Sequence, residues 1–257
     1  MPEESANHVL VSVDNGVATV TLNRPDRHNS LVPGLLRQFL DALSSCARNR
    51  DVGIVVLRAA GRSFSTGGDL RGFLEHADDI RTYSDELVGL LNEAIVAIFD
   101  CRVPVIVAVD GQVTGGSLGF VLAADIVLVT ERATFQPYYV DVGFSPDGGW
   151  TALLPGIIGR KRAFAVQLLN QTVSADQALE WGLATAYAES AELEPALAEL
   201  CGRFHSKKSG SVHDTRQLLR PADVESRLDE EKRRFVERIV TDEAIEGVRA
   251  FLDGRDD

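Results

Sequence analysis

Three short stretches combine residue types that can do chemistry at a carbonyl. Phe64-Ser65-Thr66-Gly67-Gly68-Asp69-Leu70 is a glycine loop ending in an acidic residue able to cap a helix. Asp110-Gly111-Gln112-Val113-Thr114-Gly115-Gly116-Ser117-Leu118-Gly119 runs from a strand end into a glycine-led helix. Phe144-Ser145-Pro146-Asp147-Gly148-Gly149-Trp150 carries a carboxylate ahead of a glycine pair, close to aromatic residues. In the first two, glycine removes the side chain that would keep a ligand from the backbone N–H. Two such amides, one backed by a helix N-terminus, make a hole that stabilises an oxyanion. A carboxylate beside that hole can move a proton next to the polarised carbonyl. Each stretch also has a plainer reading. The glycine pairs are ordinary tight turns when taken singly, and Asp147 suits the N-cap of the apolar run that follows it. Asp141, on the same stretch, is the fallback base.

The elements that must position these residues follow from periodicity. Alternating runs at 9–13 and 17–22 flank Asp14-Asn15-Gly16, a turn signal, so the chain opens with a hairpin. Leu35, Leu36, Phe39, Leu40 and Leu43 recur at helical spacing. A β-rich run at 53–57 leads into the first glycine loop. Helical pattern covers about 79–99 and stops before Pro104 and a strand at 105–109. The apolar helix of the second glycine segment gives way to a strand at 126–129. Strand and helix alternating in this order predict an α/β fold. From about residue 191 charged helical pattern dominates, so 1–190 reads as the core and 191–257 as a helical region with little core of its own. Those helices should pack on the main body or on a neighbouring subunit. The charges from 229 to 234 read first as a solvated helix face.

Composition narrows the functions. The 257 residues are 45% hydrophobic and 25% charged, an ordinary globular balance, with a net charge of -12. That charge argues against a nucleic-acid surface, and a polyanionic ligand would need local cationic contacts. Cys46, Cys101 and Cys201 are scattered, which predicts reduced thiols in a cytoplasmic protein. The N-terminal MPEESANHVL is too polar for a signal peptide, and the apolar runs are too short to span a bilayer. His8, His76, His205 and His213 lack ligand spacing and read as surface residues, so no metal site is expected. The glycines of the second segment imitate a dinucleotide fingerprint, but their spacing and mid-chain position do not fit one.

These motifs resemble, in order and along nearly the whole chain, those of the crotonase (enoyl-CoA hydratase/isomerase) superfamily. Asn23-Arg24-Pro25-Asp26-Arg27-His28-Asn29-Ser30-Leu31 looks like its opening signature, and the two glycine segments look like its oxyanion loops. Residues 143–155, Trp181-Gly182-Leu183, and Glu246-Gly247 with Ala250-Phe251-Leu252 also match. The resemblance implies a spiral of ββα units with a helical C-terminal trimerisation region, assembled as a homotrimer or a dimer of trimers. It implies an acyl-CoA thioester as substrate, with coenzyme A part of the substrate and no separate cofactor. The oxyanion amides then fall on Gly68 and Gly116. The basic segment Arg24, Arg27 and His28 is where the family meets coenzyme A, although the same side chains also suit solvated surface charge. Ser65 and Gly67 join this binding set. Tyr138, Tyr139 and Trp150 suit an acyl pocket for a bulky or cyclic chain, or ordinary core packing.

One departure is informative. Hydratases of this kind hold a water between two glutamates, and the matching positions here are Gly119 and Tyr139. Neither can act as a carboxylate base. Isomerase-type members place an aspartate where this chain has Asp147, and one carboxylate suffices for a double-bond shift through an enolate. Aryl dehalogenases of the superfamily use an aspartate at the same place, but also a histidine and a tryptophan where this chain has Asn92 and Tyr139. Residues near Asp147, among them Phe144, Tyr139 and Trp150, should raise its pKa by burial. The expectation is therefore an enoyl-CoA isomerase. The alternatives are a hydratase that recruits water by another route and a catalytically silent coenzyme A-binding homologue.

Overall fold

A computed structural model describes residues 7–254 of the chain. Most of the polar N-terminal stretch read above, residues 1–6, lies outside them. The chain opens as predicted with Val9–Asp14 (β1) and Val17–Leu22 (β2), paired antiparallel across Asn15 and Gly16. Both turn residues have positive φ, 47° and 79°, as an Asn-Gly hairpin turn requires. Helix α1 (Pro33–Arg48) follows and buries Leu35, Leu36, Phe39, Ala42, Leu43 and Cys46, the stripe that its helical spacing demands.

Three passes of strand, strand and helix then build the spiral. The first runs through β3 (Ile54–Ala59) and β4 (Ser63–Ser65) to α2 (Leu70–Glu75) and α3 (Ile80–Phe99). The second runs through β5 (Val105–Val109) and β6 (Gln112–Thr114) to α4 (Leu118–Ala123). The third runs through β7 (Ile126–Val129) and β8 (Thr134–Gln136) to α5 (Tyr139–Val142), α6 (Leu154–Ile158) and α7 (Arg160–Leu168). In every pass the first strand joins one sheet and the second joins another. With β9 (Val173–Ser174), α8 (Ala175–Trp181) and β10 (Ala186–Tyr187), the sheets read β1-β2-β3-β5-β7-β10 and β4-β6-β8-β9. Neighbours are parallel except β1 with β2 and β8 with β9. The short strands β4 and β6 fall inside the segments read as glycine loops; at three residues each they show little alternation.

The C-terminal helices α9 (Leu193–His205), α10 (Ser209–Leu219), α11 (Val224–Arg238) and α12 (Asp242–Asp253) pack on the main body. Helix α9 lays Leu193, Leu197 and Cys201 on Ile54, Val56, Ile106, Ala108 and Leu128, covering one face of the larger sheet. Helix α11 packs on α3, and α12 on α5. Arg216 of α10 is buried and holds Asp125 at 2.8 Å, while Asp125 also accepts the Val105 N–H. Two readings need correction. His8 is buried rather than on the surface, because its backbone N–H donates to Gln38 Oε1 and fastens β1 to α1. Glu231, counted in a solvated face, is also buried, for a reason given below. Cys46, Cys101 and Cys201 are free and buried, and no helix among the described residues is long and apolar enough to cross a membrane.

Candidate active site

A cavity of about 450 Å³ opens where the two glycine loops meet the C-terminal helices. Gly67 and Gly115 lie side by side: a side chain on Gly67 would stand 2.8 Å from the Thr114 carbonyl and 3.2 Å from the Gly115 Cα. Both have left-handed φ, 74° and 53°, which glycine adopts without strain. The next residues, Gly68 and Gly116, line the cavity. The Gly67 carbonyl accepts the Leu31 N–H at 2.7 Å, and the Asp69 N–H donates to the Leu31 carbonyl at 3.0 Å. That bridge fixes one edge of the loop. Because a trans peptide points its C=O and N–H in opposite directions, the Gly68 N–H faces away from the bridge. The Gly115 carbonyl is held in turn by Trp150 Nε1 at 2.7 Å. So the two amides are fixed by what grips the other end of their peptide units.

Asp147 lies against this cradle. A methyl group built on Gly116 would be 2.9 Å from the Asp147 Oδ1 atom, so the carboxyl sits directly beside the second amide. It lines the cavity although it is buried. Tyr139 donates its hydroxyl to Asp147 Oδ1. Burial raises the Asp147 pKa to about 7; the Tyr139 hydroxyl works against that rise and the charge of Glu231 works with it. The same burial drives the Tyr139 phenol well above its ordinary range, so it stays a neutral donor. Asp147 is no N-cap: the chain turns through 148–153 before α6, which starts at Leu154.

The loop after Asp147 is gripped by Glu231 of α11. Its carboxylate accepts the N–H groups of Gly149, Thr151 and Ala152 at 2.7, 2.7 and 2.8 Å and the Thr151 hydroxyl at 2.6 Å. Burial pushes the Glu231 pKa up and those donors pull it back. Sequence reasoning missed this residue, because one glutamate in a charged helical run carries no mark of the loop it meets. Its spacing to Leu228 and Phe235, both buried, was the signal available.

The first glycine loop has its own brace. Arg24 is buried and bonds Asp69 at 3.0 Å, Ser30 Oγ at 2.8 Å and the Ser30 carbonyl at 3.1 Å. Arg27 reaches the same carboxylate at 3.2 Å. Burial alone would raise the Asp69 pKa, but the two guanidinium groups outweigh it and hold it below its ordinary range. Asp69 also caps α2 through the Arg71 N–H, the role its place in the loop predicts. Arg24 therefore holds the loop and does not line the cavity, whereas Arg27 and His28 do line it. Ser65, fully buried, donates to the Asn29 carbonyl at 2.7 Å and stands with Gly67 behind the wall. Trp150 is also behind it, while Tyr138 and Tyr139 face in. Arg71, exposed at the rim, was not singled out from the sequence. Asp141 lies outside the cavity, exposed and bonded by Asn170 Nδ2. Asn92, in α3, is buried away from the cavity lining.

The far end of the cavity is apolar. Leu87, Val88 and Leu91 of α3 meet Phe73, Phe144 and Phe235, with Phe251 and Leu252 of α12 alongside. Phe144 stands edge-on to Phe73 and Phe235, with centroids 5.8 and 5.3 Å apart. Gly119, the position that the sequence resemblance matches to a hydratase glutamate, has no room for any side chain. A Cβ there would lie 2.3 Å from Ile95 Cδ1 and 2.9 Å from the Gly148 carbonyl oxygen.

This architecture is shared with proteins already known. The Enoyl-CoA hydratase/isomerase family profile matches residues 12–257. 4-chlorobenzoyl coenzyme A dehalogenase-2 of Arthrobacter sp is 34% identical over 203 residues, 78% of this chain and 73% of the relative. 1,2-epoxyphenylacetyl-CoA isomerase of Escherichia coli (strain K12) is 31% identical over 252 residues, 95% of both chains. The solved structure of an enoyl-CoA hydratase from Mycobacterium avium subsp. paratuberculosis K-10 superposes with a TM-score of 0.86 at 29% identity, covering 95% of this chain and 98% of that one. The fold is thus that of crotonase-type enzymes. The chain belongs to the enoyl-CoA hydratase/isomerase family, whose relatives here include an isomerase, a hydratase and a dehalogenase.

Proposed function

We propose that this chain is an acyl-CoA isomerase that shifts a double bond, or rearranges a related unsaturated thioester, through an enolate. The thioester carbonyl is polarised by the Gly68 and Gly116 amides, so a proton on a neighbouring carbon becomes acidic. Asp147 removes that proton as a carboxylate and returns it, as a carboxylic acid, to another carbon of the conjugated system. The observation that carries this reading is the carboxyl itself: a single buried carboxylate beside Gly116 with a pKa near 7. At that pKa both protonation forms are accessible at neutral pH, as a shuttle requires. The Gly119 environment weighs against hydration, since a water held between two carboxylates would need one there. Arg27, with Arg71 at the rim, offers the acidic protein local cations for the phosphates of coenzyme A, and His28 lines the same edge. The phenylalanine-lined end suits a bulky or cyclic acyl group.

The test is the ultraviolet absorbance of a 3-enoyl-CoA after addition of enzyme. Conjugated enoyl thioester should accumulate with the native chain and not with Asp147→Asn. If simple 3-enoyl and ring-containing thioesters both remain unchanged with the native chain, while coenzyme A thioesters still bind, the isomerase reading fails in favour of a silent binder. Loss of a 2-enoyl-CoA signal instead would establish hydration by another route.

A further inference from the structure

We propose that Trp150 is a positioning residue that aims the Gly116 amide at the thioester oxygen, an inference that rests on the oxyanion reading above. Its indole lies behind the wall, 1% exposed, with Nε1 on the Gly115 carbonyl at 2.7 Å. That carbonyl and the Gly116 N–H are the two ends of one planar unit, so holding the oxygen sets the direction of the hydrogen. The unit needs holding. It lies between two glycines, Gly115 in the left-handed region, and no side chain of its own resists rotation of the peptide plane. The Leu118 N–H of the following turn reaches the same oxygen from within the segment, and the indole adds a bond from outside it.

The two amides are therefore aimed differently. Gly68 is aimed by a backbone bond from Leu31, whereas Gly116 is aimed by the Leu118 N–H together with a side chain, which can be replaced. Trp150 is itself well placed. Its ring stands edge-on to Tyr139 at 6.5 Å and 81°, and its backbone N–H turns back to the Asp147 carbonyl. The amides on either side of it in sequence, Gly149 and Thr151, are both tied to Glu231. One loop thus carries the proposed acid/base at Asp147 and, three residues on, the group that orients the polarising amide. Displacing the loop would disturb both halves of the chemistry together.

The experiment uses the full chain and a chromophoric substrate mimic, the 4-(dimethylamino)cinnamoyl thioester of coenzyme A. Its absorbance moves to longer wavelength as hydrogen bonds polarise its carbonyl, and it requires no turnover. Two variants are compared with the native chain. One carries 3-benzothienylalanine at position 150, which keeps the bicyclic shape and removes the N–H; the other is Trp150→Phe. The expected result for both is binding within about threefold of native, a red shift less than half the native one, and kcat on an isomerisable thioester lower by roughly 10–100-fold, less than for complete loss of an oxyanion donor. A full red shift in the isosteric variant overturns the role of Trp150 and leaves the amide assignment standing. No red shift on binding to the native chain overturns the oxyanion reading, and the proposal with it.

Discussion

Asp147 is pulled in opposite directions by two neighbours, and the pH dependence of activity should separate them. As a base it must be ionised, so kcat/KM should rise with pH through about 7 and level off above it. The Tyr139 hydroxyl favours the ionised form, so Tyr139→Phe should move that limb to higher pH. The charge of Glu231 favours the neutral form, so Glu231→Gln should move it to lower pH. Asp147→Asn should lower kcat by about 10²–10⁴-fold and at the same time stabilise the fold at alkaline pH. The sign follows from the raised pKa: what the protonated carboxyl contributes to stability is present in full below its unfolded value and is lost as pH rises through about 7. Melting temperatures of the two proteins should therefore converge near pH 4 and separate, with the asparagine variant higher, at pH 8. Gly119→Glu is the complementary test. With Ile95 and the Gly148 carbonyl already where its Cβ would stand, it should misfold or lose more than about 3 kcal/mol and should not become a hydratase.

The site is assembled by elements far apart in sequence that brace one another. Helix α11 supplies Glu231, whose carboxylate takes four donors from the 149–152 turn. An amide in its place must turn an N–H₂ group toward some of those donors. Glu231→Gln should thus destabilise by about 1–3 kcal/mol, read as a lower urea midpoint at unchanged slope. Helix α10 is anchored by Arg216, whose guanidinium bonds Asp125 and the Ile98 carbonyl at the end of α3. Breaking a buried pair from one side leaves the partner uncompensated, so Arg216→Met should cost about 2–4 kcal/mol with little change in the site's pH profile. The Asp69 cluster does the same for the first glycine loop. It explains why two of the arginines read as coenzyme A ligands are tied to a carboxylate of the protein.

At the scale of the whole molecule, the spiral leaves apolar side chains uncovered. Leu168 and Leu169 at the end of α7, and Leu218 and Leu219 of α10, are 64% to 87% exposed. We propose that these surfaces meet other copies of the chain in the trimer the sequence resemblance implies. Equilibrium sedimentation at micromolar concentration should return three chains or six, and a monomer would overturn the assembly.

Much of this was legible in the residues. Binary pattern located the hairpin, α1, α3 and the strands β3, β5 and β7, because burial on one face or on both leaves a period that sequence preserves; the two- and three-residue strands are too short to show one. The glycine loops and Asp147 were legible as chemistry, because few residue types can bare an amide or hold a proton. Their convergence was not. That Gly67 touches Gly115, that Trp150 faces the back of a peptide and not a ligand, and that Arg24 is bound inward to Asp69 are distances across the chain, invisible to spacing. Glu231 is the sharpest case. By sequence it is one charge in a run of charges, and only the packing of α11 turns it inward, where burial forces every oxygen to find a donor. The sequence by itself determined the longer elements of the core and the kinds of chemistry available. The tertiary structure decided which carboxylate is buried beside an amide, and so which one has its proton affinity brought to neutrality, because desolvation depends on every chain segment packed around the group.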